Sequence, residues 1–138
     1  MKVLIDTHVA LWSMYDTDRL SAFSAELLSD TKNEIFVSLA SAWEIEIKHG
    51  IGKLDFSSED FINDSRAMGF NLLPINEKHI MELSSLGKPD AEHKDPFDRM
   101  ILAQSVSEGM KFLTEDSRIL EYRLPNILRP DRTRCGRT

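Results

Sequence analysis

The sequence predicts an α/β fold in which helices cover both faces of a central parallel sheet of four to five strands, a three-layer α/β/α sandwich. Three observations favour this class. Short apolar runs typical of buried strands alternate with helical patterns along the chain. The connections between them are short, so parallel strands have to be joined through helices. With 138 residues, 41% of them hydrophobic, the chain is long enough for one domain with its own core.

The first half of the chain contains two strand patterns and three helix patterns. The apolar run before Asp6 is typical of a buried strand. Ser41 and Glu44 have the spacing of a capping box, which predicts that a helix opens at Ser41, and Gly50 is a usual helix end. In chain order we expect a strand over 2–5, helices over 7–14 and 21–28, a strand over 35–37 and a helix over 41–48.

The second half is organised around a helix that begins at Asp95. Asp95 is a good N-cap, Pro96 suits the first helical position, and Gly109 is a usual end. In chain order we expect a helix over 57–68, a strand over 71–74, a helix over 77–86, a polar loop over 87–94, the helix over 95–108, a strand over 111–114, a short helix over 117–122 and a strand over 126–128. Residues 1–128 therefore form a single domain, and residues 129–138 a basic tail that we expect to be disordered.

The composition argues against several classes of protein. The apolar runs are far shorter than a membrane span, and the amino-terminal residues do not have a signal-peptide pattern. The only cysteine, Cys135, lies in the tail, so no internal disulfide is expected. We therefore expect a cytoplasmic protein that does not contact a membrane.

The net charge of −6 is unevenly distributed. The segment from Arg129 onward holds four arginines and one aspartate, so residues 1–128 carry −9. That charge by itself disfavours binding to nucleic acid, unless several carboxylates share bound divalent cations.

Acidic side chains follow or flank the predicted strand ends. Parallel sheets bind ligands beyond the carboxyl ends of their strands, and the predicted fold brings four acids towards that edge: Asp6, Glu44, Asp98 and Asp116. Singly, Glu44, Asp98 and Asp116 can each be explained by helix capping, whereas Asp6 has no obvious local structural role. Together the four carboxylates would repel one another unless divalent cations neutralised them. Oxygen ligands suit Mg²⁺ or Mn²⁺, which would support hydrolysis of a phosphodiester by a metal-activated water.

The order of the motifs resembles a known family. The motifs are Asp6-Thr7-His8, Ser41-Ala42-Trp43-Glu44-Ile45, Asp95-Pro96-Phe97-Asp98-Arg99 and Thr114-Glu115-Asp116, with the segment from Ile47 to Leu54 also similar. This set resembles the PIN-domain nucleases, in particular the VapC-type toxins of toxin–antitoxin pairs, over residues 1–128. The resemblance implies a PIN-like sandwich and a metal-dependent endoribonuclease. It also implies an antitoxin protein as partner, and a homodimer that forms a higher-order complex with that antitoxin.

The resemblance also implies roles for individual residues. Asp6, Glu44, Asp98 and Asp116 match the acidic quartet that holds Mg²⁺ or Mn²⁺, and Thr7 and Thr114 would support these acids by hydrogen bonds. Asp95 is interpreted as the N-cap and not as a ligand. The candidate RNA contacts are Lys48, Lys53, His93 and Arg99, each with simple solvation or ion pairing as the alternative.

Three other side chains have open interpretations. His8 can touch substrate, but packing and hydrogen bonding are the usual roles of such a histidine. Trp12 and Trp43 lie in apolar helical patterns, which favour the core or a dimer interface over stacking on bases.

Two other functions remain in competition. A receiver-type phosphoacceptor module also has a parallel sheet and an acidic Mg²⁺ pocket, although it carries a lysine after a late strand that this chain lacks. A non-catalytic RNA-binding protein could keep the PIN-like fold, although an intact acidic quartet argues against it.

Overall fold

The computed structural model describes residues 1–87 and 95–130. Within these ranges the sheet has four parallel strands: β1 (Lys2–Ile5), β2 (Glu34–Ser38), β3 (Asn71–Leu73) and β4 (Lys111–Leu113). The prediction of a parallel sheet of four to five strands is confirmed. The expected strand over 126–128 is reduced to one bridge between Ile127 and Phe112.

The strand order β3-β2-β1-β4 places β1 between β2 and β4. In receiver-type modules the order is 2-1-3-4-5, so the first strand lies beside the third. The observed order therefore contradicts the receiver alternative.

The helices of the described ranges occur largely where the hydrophobic periodicity predicts them. Their bounds are α1 (Thr7–Tyr15), α2 (Ala22–Ser29), α3 (Leu39–Gly50), α4 (Ser58–Ala67), α5 (Glu77–Glu82), α6 (Pro96–Glu108) and α7 (Ser117–Leu120). Short 3-10 turns follow α1 and α5, at Thr17–Arg19 and Leu83–Leu86. The helix expected over 77–86 is thus an α-helix that tightens in its last turn.

The start of α3 differs from the prediction. The helix begins at Leu39, because the Ser38 hydroxyl accepts a hydrogen bond from the Ala40 N–H at 2.9 Å and caps it. Ser41 therefore lies inside the helix, and the capping box of Ser41 and Glu44 is wrong. Glu44 lies in the second helical turn, where a cap does not explain a buried carboxylate.

Two apolar cores cover the two faces of the sheet, as the alternation of side chains along the strands requires. In β1, Val3 and Ile5 pack into the core that includes Phe61 of α4, whereas Leu4 packs on the opposite face against Ile101 of α6. Residues from helices lie in both clusters, which gives the three-layer arrangement.

The register of the strands aligns their carboxyl ends. Ile5 pairs with Val37 of β2 and with Leu113 of β4, and the Asp6 N–H donates to the Leu113 carbonyl at 3.1 Å. Asp6, Ser38 and Thr114 consequently lie at the same edge of the sheet.

No helix in the described ranges is long and apolar enough to cross a membrane. At the start of the predicted tail, Arg129 donates from Nη2 to the carbonyl of Leu120 at 2.6 Å and to that of Tyr122 at 3.0 Å. Arg129 is therefore attached to the fold, one residue beyond the predicted domain boundary. Residues 131–138, which include Cys135, lie outside the described residues.

Candidate functional site

Asp6 is the most buried of the four predicted acids, with 3% of its surface exposed. It is the N-cap of α1, and its Oδ1 accepts a hydrogen bond from the Val9 N–H at 2.8 Å. The Thr114 hydroxyl donates to Oδ2 and accepts from the Asp116 N–H at 3.0 Å. Asp6 thus has a local structural role after all, because it caps the helix as well as facing the site. Thr114 holds Asp6 and the backbone of Asp116 together.

The electrostatics of Asp6 show that it has an acidic neighbour. Burial raises its pKa to about 6; the hydrogen bonds from Thr114 and Val9 oppose this rise, and the charge of Asp98 adds to it. Asp98 therefore lies within electrostatic reach of Asp6, although the two residues belong to different helices. A carboxylate with this pKa would be ionised more readily if a cation were bound beside it.

The first turn of α6 separates the roles of its two aspartates. The Oδ1 atom of Asp95 accepts from the N–H groups of Phe97 at 2.8 Å and Asp98 at 3.2 Å, so the interpretation of Asp95 as the N-cap is confirmed. Because Asp95 supplies the cap, the side chain of Asp98 is not needed for it.

Glu44 has 5% of its surface exposed and faces the same edge from α3. Its Oε2 accepts from Lys48 Nζ at 3.0 Å. Its Oε1 is buried and has no hydrogen-bond partner among the described residues. Close by, the hydroxyls of Thr7 and Ser41 are hydrogen-bonded at 2.8 Å, which ties α1 to α3. A buried carboxylate oxygen without a partner is unusual and is typical of a site that receives a cation or a water.

Asp116 closes the edge on the side of β4. Its Oδ1 accepts from the Arg118 N–H at 2.9 Å and caps α7, while its Oδ2 pairs with Arg118 Nη2 at 3.2 Å. In residues 1–87 and 95–130, no three acidic, histidine or cysteine side chains are arranged so that they could hold one metal ion. The acids share one edge, but Glu44 and Asp116 are each paired with a basic side chain.

Two cavities lie beside these acids, and His8 and Trp12 line both of them. The larger cavity has a volume of about 280 Å³ and reaches Glu44; the smaller, of about 200 Å³, reaches Asp116. Trp12 is half-buried at this position and is not simply a core residue, and its assignment to a dimer interface stays a prediction. The spacing of four between His8 and Trp12, with both following Asp6 on one helix, was the available signal.

The predicted RNA contacts have different surroundings. Lys48 lines the larger cavity, whereas Lys53 is exposed beyond the end of α3. The guanidinium of Arg99 donates to the Tyr122 hydroxyl at 2.8 Å and to the Gly87 carbonyl at 2.7 Å, which gives it a structural role. His93 lies outside the described residues.

Trp43 is exposed on α3, with 59% of its surface accessible, and its ring meets Phe97 edge-on at 5.0 Å between centroids. Ile47 and Ile51 follow at intervals of four and are also exposed. Trp43 therefore does not belong to the core, and an interface remains the favoured interpretation.

Known proteins resemble this chain along most of its length. A curated relative, Ribonuclease VapC22 from Mycobacterium tuberculosis, is 22% identical over 123 residues, which cover 89% of this chain and 93% of the relative. Among solved structures, VapBC2 from Rickettsia felis bound to a DNA fragment from its promoter matches with a TM-score of 0.62 and 16% identity, over 93% of this chain and 96% of the matched chain. DNA-bound VapBC from Salmonella typhimurium matches with a TM-score of 0.61 and 18% identity, over 92% and 95%.

The structural similarity supports the same fold at these low identities. The family model of the PIN domain matches residues 3–124, which include all of the four strands except Lys2, the first residue of β1, and all four predicted acids. The chain therefore belongs to the PIN domain family.

Proposed function

We propose that this protein is a metal-dependent endoribonuclease and the toxin of a toxin–antitoxin pair. The observation that carries the proposal is the buried Asp6 carboxylate at the end of β1, whose pKa is raised to about 6 by burial first and by Asp98 in addition. Such a carboxylate at a shared strand edge is typical of a hydrolytic site and exceeds the needs of a helix cap. Membership of the PIN domain family and the similarity to a protein named a ribonuclease support the same function.

We assign the metal, Mg²⁺ or Mn²⁺, to Asp6, Glu44, Asp98 and Asp116. The chemistry of the donors fits such an ion, because they are all carboxylates and the Oε1 atom of Glu44 is buried without a hydrogen-bond partner among the described residues. No three of the described side chains are already arranged around one ion, so binding would draw the carboxylates together. When bound, the ion supplies a Lewis acid that lowers the pKa of a water and offsets the charge of a phosphodiester.

The protein's own residues position these acids. Thr114 donates to Oδ2 of Asp6 and the Val9 N–H donates to Oδ1, so each carboxylate oxygen keeps one lone-pair direction for a ligand. The Thr7–Ser41 hydrogen bond keeps α3 against α1, so Glu44 faces the edge that Asp6 occupies. Both threonines therefore orient the acids and do not react.

The substrate is single-stranded or locally unpaired RNA, and Lys48 is the candidate contact best placed for it. Lys48 reaches the larger cavity through its pair with Glu44. Lys53, His93 and Arg99 stay secondary candidates, and Arg99 would have to give up its bonds to Tyr122 and Gly87 to meet a phosphate.

The partners follow from the same proposal. The matched solved structures are described as VapBC complexes, which supports an antitoxin protein as the partner of this chain. The exposed stripe of Trp43, Ile47 and Ile51 supports a homodimer that forms a higher-order complex with the antitoxin. We place the complex in the cytoplasm, where its RNA substrates are.

The test is cleavage of single-stranded RNA by the purified chain with Mg²⁺, with Mn²⁺ and with EDTA. We expect cleavage that requires one of the two ions and is lost in Asp98→Asn. Asp95→Asn is the matched control, because asparagine still caps α6 and only Asp98 is assigned to the metal. Cleavage by Asp98→Asn at the parental rate, or a parental protein that binds RNA without cutting it, would contradict the proposal. The second result would favour a non-catalytic RNA-binding protein.

A further inference from the structure

A ridge formed by His8 and Trp12 lines both cavities of the candidate site. Both residues lie on the outer side of α1, four positions apart, with ring centroids 5.7 Å apart and planes inclined by 37°. His8 is exposed and Trp12 is half-buried. The two rings therefore contribute aromatic surface to both cavities beside the four predicted acids.

Each cavity ends at a different predicted catalytic acid. The larger cavity runs from the ridge to Thr7 and Glu44, and the smaller one runs from the ridge to Asp116. Asp6, the residue before Thr7, lies at the strand edge from which α1 starts. A chain that occupied both cavities would have to pass over the ridge close to Asp6.

The lining of the larger cavity selects for a flat group with little charge. Its walls include Leu11, Tyr15 and Phe56, and its charged side chains occur as two pairs. The pairs are Lys48 with Glu44 at 3.0 Å and Arg19 with Asp16 at 3.6 Å. Because these charges balance, the cavity favours a nucleobase over a phosphate group.

Arg19 shows that a ring face of Trp12 accepts a planar group. Its guanidinium carbon lies 5.6 Å from the centroid of the Trp12 ring, while 65% of the Arg19 side chain stays exposed. A base that stacked on Trp12 would take the place of the exposed Arg19 guanidinium, and aromatic rings combined with arginine are typical of sites that stack the bases of single strands.

We propose that the ridge of His8 and Trp12 separates two neighbouring bases of single-stranded RNA, one base in each cavity. This inference rests on the proposed ribonuclease function and assigns the path of its substrate. A cavity of about 280 Å³ holds one small planar group, not a stacked duplex, so paired RNA is a poor substrate. Trp12 contributes stacking to substrate and transition state alike.

The two tryptophans of the chain allow a direct binding test. In Trp43→Phe the only tryptophan is Trp12, and in Trp12→Phe it is Trp43. Titration with a short mixed-sequence single-stranded RNA in EDTA, which withholds the proposed metal, is expected to change the emission of Trp12 and to leave that of Trp43 unchanged. The same RNA annealed into a duplex is expected to produce a much weaker change. A response confined to Trp43 would overturn the assignment.

The kinetic test uses Trp12→Leu, which keeps apolar bulk at a half-buried position but removes the aromatic face. We expect KM for single-stranded RNA to rise roughly tenfold with kcat nearly unchanged, because stacking acts equally on bound substrate and transition state. Trp12→Phe is expected to restore most of the loss in KM, and a melting temperature equal in the Leu and Phe variants shows that the ring and not the bulk is responsible. Thermal melting of each variant shows that the fold is intact.

The outcomes separate this inference from the proposed function. If the parental protein cleaves RNA and Trp12→Leu has the parental KM, the ridge does not bind the substrate and the cavities belong to a protein partner or a second copy of the chain. If the parental protein neither binds nor cleaves RNA, the proposed function fails and the inference fails with it.

Discussion

Replacing Asp6 with asparagine is expected to change the stability of the metal-free protein in a way that reverses sign with pH. Asp6 is 3% exposed, and burial raises its pKa from 3.8 to about 6. At about 1.4 kcal/mol for each pKa unit, the ionised carboxylate costs the folded state about 3 kcal/mol relative to the protonated one.

The direction follows from proton binding. The folded protein holds the proton on Asp6 more tightly than the unfolded chain does, so protonation of Asp6 favours folding below about pH 4. As the pH rises through about 6, that contribution is lost. In Asp6→Asn this pH-dependent contribution to stability is absent, because asparagine does not titrate. The substitution also lowers the free energy of unfolding by about 1 kcal/mol at every pH, because the Thr114 hydroxyl loses the carboxylate oxygen that accepts its hydrogen bond.

The assay is urea unfolding in EDTA at pH 4 and pH 8, with Asp55→Asn as a control for removing one exposed carboxylate. We expect Asp6→Asn to be about 0.5 kcal/mol less stable than the parental protein at pH 4, where more than half of the unfolded Asp6 side chains are already ionised, and about 2 kcal/mol more stable at pH 8. At this chain length the latter difference corresponds to about 8 °C in Tm.

Added Mn²⁺ at pH 8 is expected to stabilise the parental protein more than the variant, because only the parental site keeps the carboxylate. If the stabilities of the two proteins changed in parallel with pH in EDTA, the inference that burial raises the pKa of Asp6 would be wrong.

The remaining predictions concern the elements that carry the site. Asp95→Ala is expected to lose about 1 kcal/mol of stability by urea unfolding, since α6 loses its cap, whereas Asp95→Asn keeps most of it; equal losses in both would contradict the capping role. Gln104→Leu is expected to lose about 2–3 kcal/mol, because Gln104 is fully buried and accepts from the Ser38 hydroxyl, which would be left without an acceptor. A loss below about 0.5 kcal/mol in the same measurement would show that this hydrogen bond contributes little.

Element types were largely predictable, because hydrophobic periodicity and end signals act locally. The helix that begins at Asp95 was predicted with its cap, its proline and its terminal glycine in the observed positions. Element boundaries were less predictable. Ser38 and Ser41 are both serines, a residue type that favours the N-cap position. The observed cap is Ser38, the last residue of β2. The strand expected over 126–128 is reduced to a single bridge, in which Asn126 and Leu128 both form backbone hydrogen bonds with Phe112 of β4.

The acids of the site were predicted as a set, but their individual environments were not. Asp6 was expected to have no obvious local structural role and is a helix cap. Trp12, for which the core or an interface was favoured, is half-buried and lines two cavities. Both outcomes depend on neighbours that are distant in sequence: Thr114 lies 108 residues from Asp6.

What the sequence by itself determined is the class of fold, the order of its elements and the identity of the acids that follow them, because apolar spacing and capping residues act over a few positions. The tertiary structure decided the rest: that Lys48 neutralises one oxygen of Glu44 and leaves the other without a partner among the described residues, and that Asp98 comes within electrostatic reach of Asp6. The physical reason is that burial and charge depend on which residues the sheet register and the helix packing bring together. No local pattern contains that information.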